Sequence, residues 1–85
     1  MEENKVYNFK VEDEKLRAAD WKEVYIGLWS KEDSCFTMDT NAEVGVVYHK
    51  SYMGFDGALH FFYEADEALT WMTDNEAEYR ARYGD

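Results

Sequence analysis

The sequence predicts an α+β fold, an antiparallel sheet of four or five strands with a C-terminal helix packed on one face. Three observations lead there. Residues 21–50 hold short β-prone segments separated by the polar clusters KEDS (31–34) and NAE (41–43). From Ala65 onward the apolar residues Ala68, Leu69, Met72, Tyr79 and Tyr83 recur at helical spacing. The 85 residues include no proline and show no repeat or linker composition, so 1–85 reads as one compact domain with the polar Met1–Asn4 frayed.

Taken in order, residues 5–11 alternate Tyr7, Phe9 and Val11 with Asn8 and Lys10, the pattern of a half-buried strand. Glu12–Asp20 is charged, with Leu16, Ala18 and Ala19 as its apolar members, and reads as a short helix or a loop, the helix being favoured. WKEVYIGLWS (21–30) reads as one strand, with Val24, Ile26 and Leu28 on one face and Trp21, Tyr25 and Trp29 on the other. Both faces are apolar, which predicts a central strand covered on both sides. CFTMDT (35–40) sets Phe36 and Met38 against Cys35, Thr37 and Asp39, and VGVVYHK (44–50) completes a three-strand meander. SYMGFDG (51–57) is a loop that either exposes Tyr52 and Phe55 or folds them in, with a buried Phe55 the expected outcome. ALHFFYE (58–64) is a further strand with Leu59, Phe61 and Tyr63 on one face.

The final helix begins with Asp66 and Glu67 and ends with Arg80 and Arg82, the distribution its dipole favours, and Gly84 is a possible stop. Glu76 falls on the same stripe as Leu69 and Met72, and Thr73-x-x-Glu76 reads as a capping box. A continuous helix is expected over a break near Thr73.

Composition narrows function more than any motif does. The formal net charge is −10, and no Lys or Arg lies between Lys50 and Arg80. That stretch carries Asp56, Glu64, Asp66, Glu67, Asp74, Glu76 and Glu78, together with Tyr52, Phe55, Phe61, Phe62, Tyr63, Trp71 and Tyr79. A field of one sign disfavours nucleic acid and anionic membranes and favours a basic protein surface, including one that normally holds DNA or RNA. The plainer alternative is an acidic surface that serves only solubility. A net charge of about 2–8 normally suffices for that in a small domain. One cysteine, Cys35, rules out an intramolecular disulfide and a thiolate metal cluster. The start MEENKVYNF has no apolar run, and no stretch approaches a membrane span, so a cytoplasmic location is expected.

Drawn as a helix, the last segment places Glu67, Trp71, Asp74 and Glu78 on a second stripe, spaced i, i+4, i+7, i+11. The stripe spans about 16 Å at 1.5 Å per residue. Exposed, it would present an indole among carboxylates, where a partner Arg stacks and pairs. With Glu64 and Asp66 it could coarsely imitate a run of phosphates, whose charges recur about every 3.4 Å along each strand of DNA. Against this stands a Trp71 tucked under the 51–57 loop with the acids merely solvated. The candidate partner-binding set is therefore Tyr52, Asp56, Glu64, Asp66, Glu67, Trp71, Asp74 and Glu78.

No catalytic or cofactor motif is legible, and neither enzyme activity nor a cofactor is expected. His49 and His60 lie on different expected strands without ligand spacing to Asp39, Asp56 or Glu64, so ordinary half-exposed histidines are the default over a metal site. Cys35 with His49 lacks a third group and oxyanion donors. Gly54-x-x-Gly57 lacks the lysine of a phosphate loop, and the basic residues form no nucleic-acid patch.

In size and in its acidic, aromatic-rich character alone, the chain resembles small phage-encoded anti-CRISPR and anti-restriction proteins. That resemblance implies a non-enzymatic inhibitor, acting by charge mimicry of DNA on a CRISPR effector or restriction complex; a sheet with an uncovered edge could dimerise, but high like charge opposes it, and a monomer is expected. It carries over no site residues. An immunity protein or antitoxin plugging a nuclease would use the same physics. A small accessory subunit docking through its aromatic loop or a sheet edge would not need the acids at all.

Overall fold

The structure, a computed structural model, describes residues 6–51 and 56–83, with the side chain of Tyr83 excepted. Its elements are α1 (Phe9–Ala18), β1 (Lys22–Tyr25), β2 (Leu28–Ser30), β3 (Phe36–Asp39), β4 (Gly45–His49), β5 (His60–Phe62) and α2 (Ala65–Tyr83). The five strands form one antiparallel sheet in sequential order β1-β2-β3-β4-β5. This is the expected α+β architecture with its C-terminal helix.

Pairing register assigns the two faces of the sheet, because residues opposite each other point the same way. Trp29, Met38 and Val47 are matched across β2, β3 and β4, and Gly45 faces Phe62. With Phe36 they join Leu16 of α1 and Ala65, Ala68 and Met72 of α2 in one core. Both helices therefore cover the same face. The Phe62 ring lies over Gly45 so closely that a Cβ there would stand 2.3 Å from it. Trp29 is fully buried, and its indole N–H donates to Thr40 Oγ1 at 3.0 Å.

The N-terminal segment departs from expectation. Residues 6–8 are not a strand, and a helix starts at Phe9. The alternation of Tyr7, Phe9 and Val11 is deceptive, because only Tyr7 is buried. Asn8 caps the helix, its side-chain oxygen accepting from Val11 N–H, and Lys15 and Arg17 occupy the last turn. The inward positions of α1 are Leu16 and, unexpectedly for a carboxylate, Glu12. Asp20 ends the helix at a φ of 73°, the left-handed value usual after a helix C-terminus.

Residues 21–30 are likewise two strands, not one central strand. Tyr25 pairs with Leu28, which leaves Ile26-Gly27 as a two-residue turn. Gly27 adopts a φ of 72°, and a Cβ there would meet the Asn41 side chain. Asn41 Nδ2 donates to Ile26 O at 2.9 Å, and Glu23 Oε2 accepts from Gly27 N–H at 2.9 Å, so the turn is clamped from both sides. β1 is an edge strand, exposed throughout, with its register interrupted between Glu23 and Tyr25 so that Val24 has no opposite number. The meander over 21–50 therefore has four strands.

In β5 the buried residue is Phe62, whereas Phe61 points to solvent. α2 runs unbroken through Thr73, whose hydroxyl donates to Leu69 O and forms no cap. The expected fraying of Met1–Asn4, the positions of Tyr52 and Phe55 and the stop at Gly84 fall outside the described residues.

Glu12 fastens the two helices together. It is 7% exposed, and its Oε1 accepts from the backbone N–H of Ala65, the first residue of α2, at 2.7 Å. Lys15 Nζ lies 3.6 Å from Glu12 and 3.5 Å from Asp66, completing a charged clasp. Replacing Glu12 with Ala strands a buried N–H at the helix start. It is expected to cost about 2 kcal/mol in chemical denaturation, with Glu12→Gln costing less because an amide oxygen still accepts.

Candidate functional site

The acidic stripe of α2 survives in part. Glu67, Asp74 and Glu78 are exposed on one flank of the helix, away from its buried stripe. Glu64 and Asp66 are exposed at its N-terminal end, and Asp56 is exposed before β5. Several of these acids are already engaged. Glu67 Oε2 lies 3.3 Å from His60 Nε2, Asp66 pairs with Lys15, and Glu78 pairs with Arg82 at 2.7 Å. Asp74 carries no ion pair among the described residues. Tyr52 lies outside the described residues.

Trp71 does not stand on that stripe as an exposed anchor. It is half-buried, with its ring centroid 5.5 Å from Phe36 and 5.7 Å from Tyr79, and it stacks on His60 at 4.9 Å with an interplanar angle of 8°. The reason is angular. Trp71 lies about 100° around the helix from Met72, at the margin of the buried stripe, and a side chain as long as an indole reaches back over the sheet. Glu76, the acid that looked misplaced, is half-buried at the same end. It accepts from Ser34 Oγ at 3.4 Å and pairs with Arg80, which also donates to Asp33 O.

Of the two histidines expected to be half-exposed, His60 is partly exposed and His49 is buried. His49 opposes Phe36, and its Nδ1 lies 2.6 Å from Ser51 Oγ. Cys35 is buried, with its thiol pushed up first by burial and then by Glu76. No set of three His, Cys, Asp or Glu side chains able to hold a metal occurs among the described residues. No described helix is long and apolar enough to cross a membrane.

Sequence reasoning missed the outer face of the sheet. Register places Tyr25, Leu28, Asp39, Val46 and Phe61 in one row across all five strands, on the side opposite the helices. Tyr25 is 71% and Phe61 58% exposed, and Leu28, Asp39 and Val46 are intermediate. A parallel row holds Lys22, Ser30, Thr37 and Tyr48. The signal was present in the two apolar faces of 21–30, but reading that segment as a single strand gave the second face a cover it does not have.

A second surface lies at the rim between α1 and the β1–β2 turn. Exposed Phe9 and Ile26 line a cleft of about 210 Å³ that also contains Asp13, Glu23, Thr40 and Asn41. Tyr7 donates its phenolic proton to Asp13 at 2.6 Å. Burial raises the Asp13 carboxyl above its usual range despite that donor, with the charge of Glu23 adding to the effect. Burial, then the bond to Asp13 and its charge, likewise hold the Tyr7 phenol well above its ordinary range.

The chain matches no family model, no curated protein and no solved structure. Its class rests on its own geometry, a five-stranded antiparallel sheet with two helices on one face and, among the described residues, no element on the other.

Two outcomes follow. Trp71→Ala removes contacts to Phe36, His60 and Tyr79 and is expected to lower stability by about 2–3 kcal/mol, read by denaturant titration. The folded chain also holds the Tyr7 proton more tightly than the unfolded chain, whose tyrosines ionise near pH 10. The folded state thus binds more protons, and stability is expected to fall as pH rises past about 10. In Tyr7→Phe that alkaline slope is expected to be shallower, measured as melting temperature against pH.

Proposed function

We propose that the protein is a non-enzymatic acidic binding module that occupies a basic, nucleic-acid-binding surface of another protein. The observation that supports this is the exposed flank of α2. There Glu67, Asp74 and Glu78 face solvent along about 16 Å of helix, with Glu64 and Asp66 at its start, in a chain of net charge −10. Field lines from such a surface steer an oppositely charged partner and repel nucleic acid. An inhibitor of the anti-CRISPR or anti-restriction kind, acting as a monomer in the cytoplasm, is the form this reading takes. A nuclease-neutralising immunity protein or antitoxin obeys the same physics.

The open aromatic face of the sheet favours a second reading, that of an accessory subunit docked through apolar contacts. The two readings respond differently to salt, because charge-driven association weakens as the Debye length shrinks from about 10 Å at 0.1 M.

The test is capture of partners by the tagged chain from nuclease-treated lysate of its own cells, at low and high salt, with Glu67, Asp74 and Glu78 reversed to Lys in parallel. The expected result is a nucleic-acid-binding protein that is retained at low salt, displaced by duplex DNA and lost by the triple variant. A partner retained equally by that variant and at high salt would overturn the charge reading.

A further inference from the structure

No described element covers the outer face of the sheet, where Leu28, Asp39 and Val46 are partly exposed between the exposed rings of Tyr25 and Phe61 and the neighbouring Thr37 is buried. At the centre of the row Tyr25–Leu28–Asp39–Val46–Phe61 stands one carboxylate. Asp39 Oδ1 accepts from Asn41 N–H at 2.9 Å and from Asn41 Nδ2 at 3.2 Å, which fixes the carboxylate in place. Neither carboxylate oxygen has a cationic partner among the described residues. Leu28 and Val46 flank it on the neighbouring strands, about 5 Å to each side, and the exposed rings of Tyr25 and Phe61 close the row about 10 Å out. Just beyond the same end of the sheet the chain carries the exposed acids Glu43 and Glu64.

A fixed carboxylate between aliphatic walls suits a guanidinium better than an ammonium. The guanidinium is planar, weakly hydrated and able to pair with a carboxylate in a forked geometry, and its methylene stem can lie along Leu28 or Val46. A second copy of the chain fits badly, since face-to-face docking would bring two Asp39 carboxylates together and set −10 against −10. The face is small. Five strands about 4.8 Å wide and four residues about 3.3 Å long cover roughly 320 Å² in plan, against about 800 Å² per partner in a stable interface. It suits the apolar centre of a larger interface, with exposed Lys22 on the same face toward one end and the exposed acids Glu43 and Glu64 beyond the other.

We infer that the open sheet face, centred on Asp39, docks a basic protein surface that presents an arginine between apolar side chains. This inference rests on the acidic-module reading and moves its anchoring contact from α2 to the sheet.

The test is titration of the isotope-labelled full chain with nona-arginine and nona-lysine peptides at about 50 mM salt, followed by backbone amide shifts. The expected result is perturbation centred on Tyr25, Leu28, Asp39, Val46 and Phe61, with nona-arginine bound several-fold more tightly than nona-lysine. Asp39→Asn and the double variant Tyr25→Ser/Phe61→Ser are each expected to weaken nona-arginine about tenfold. The double variant alters only exposed rings, so it stands as the test if Asp39→Asn disturbs the 39–41 turn. Perturbations confined to the Glu67–Glu78 side of α2, with equal affinity for the two peptides, would overturn the inference and leave the acidic-module reading standing. Absence of binding to either peptide would overturn both. Concentration-dependent dimerisation through the sheet face, seen by sedimentation, would replace the basic partner with a second copy.

Discussion

The contact between Glu12 and the start of α2 is the constraint on which the arrangement depends. A helix start leaves several backbone N–H groups without partners, and a short sheet cannot supply them. Here a carboxylate 53 residues earlier in the chain reaches one of them, on the first residue of α2. Its charge also suits the positive end of the helix dipole. The bond only forms if α1 lies beside α2, so it ties both helices to one face of the sheet. Lys15, bridging Glu12 and Asp66, holds a cation against that otherwise costly buried charge.

Where periodicity was unambiguous, the sequence disclosed the fold. α2 could be read from Ala68, Leu69 and Met72, and β3 and β4 from the alternation of Phe36 and Met38 and from the turn clusters on either side. Two failures share one cause. Tyr7–Phe9–Val11 and Trp21–Trp29 both carry more apolar residues than the fold buries, so their patterns overstate cover. In the first case the cap at Asn8 outweighs the alternation. In the second, Gly27 supplies the left-handed φ that the two-residue turn takes, and that single glycine converts one expected strand into a hairpin.

The candidate site was legible in charge but not in orientation. Which acids face solvent follows from 100° per residue, and Glu67, Asp74 and Glu78 fall where that arithmetic puts them. Trp71 does not, because side-chain reach rather than the Cα angle decides what an indole touches at the edge of a buried stripe. The row across the sheet could not be read at all without register, since Tyr25, Asp39 and Phe61 become neighbours only when five strands are aligned. The outcome divides the molecule's chemistry, with dispersed negative charge on the helical side and a mixed aromatic and carboxylate strip on the other.

The irregularity in β1 has a consequence for how the chain behaves in concentrated solution. A flat outer strand with Val24, Tyr25 and Ile26 exposed would offer a template for runaway strand addition between molecules. The unmatched Val24 interrupts the ladder there, so the regular pairing an incoming strand requires is broken at that residue. One supernumerary residue thus works against strand addition along the rim where Val24, Tyr25 and Ile26 meet water.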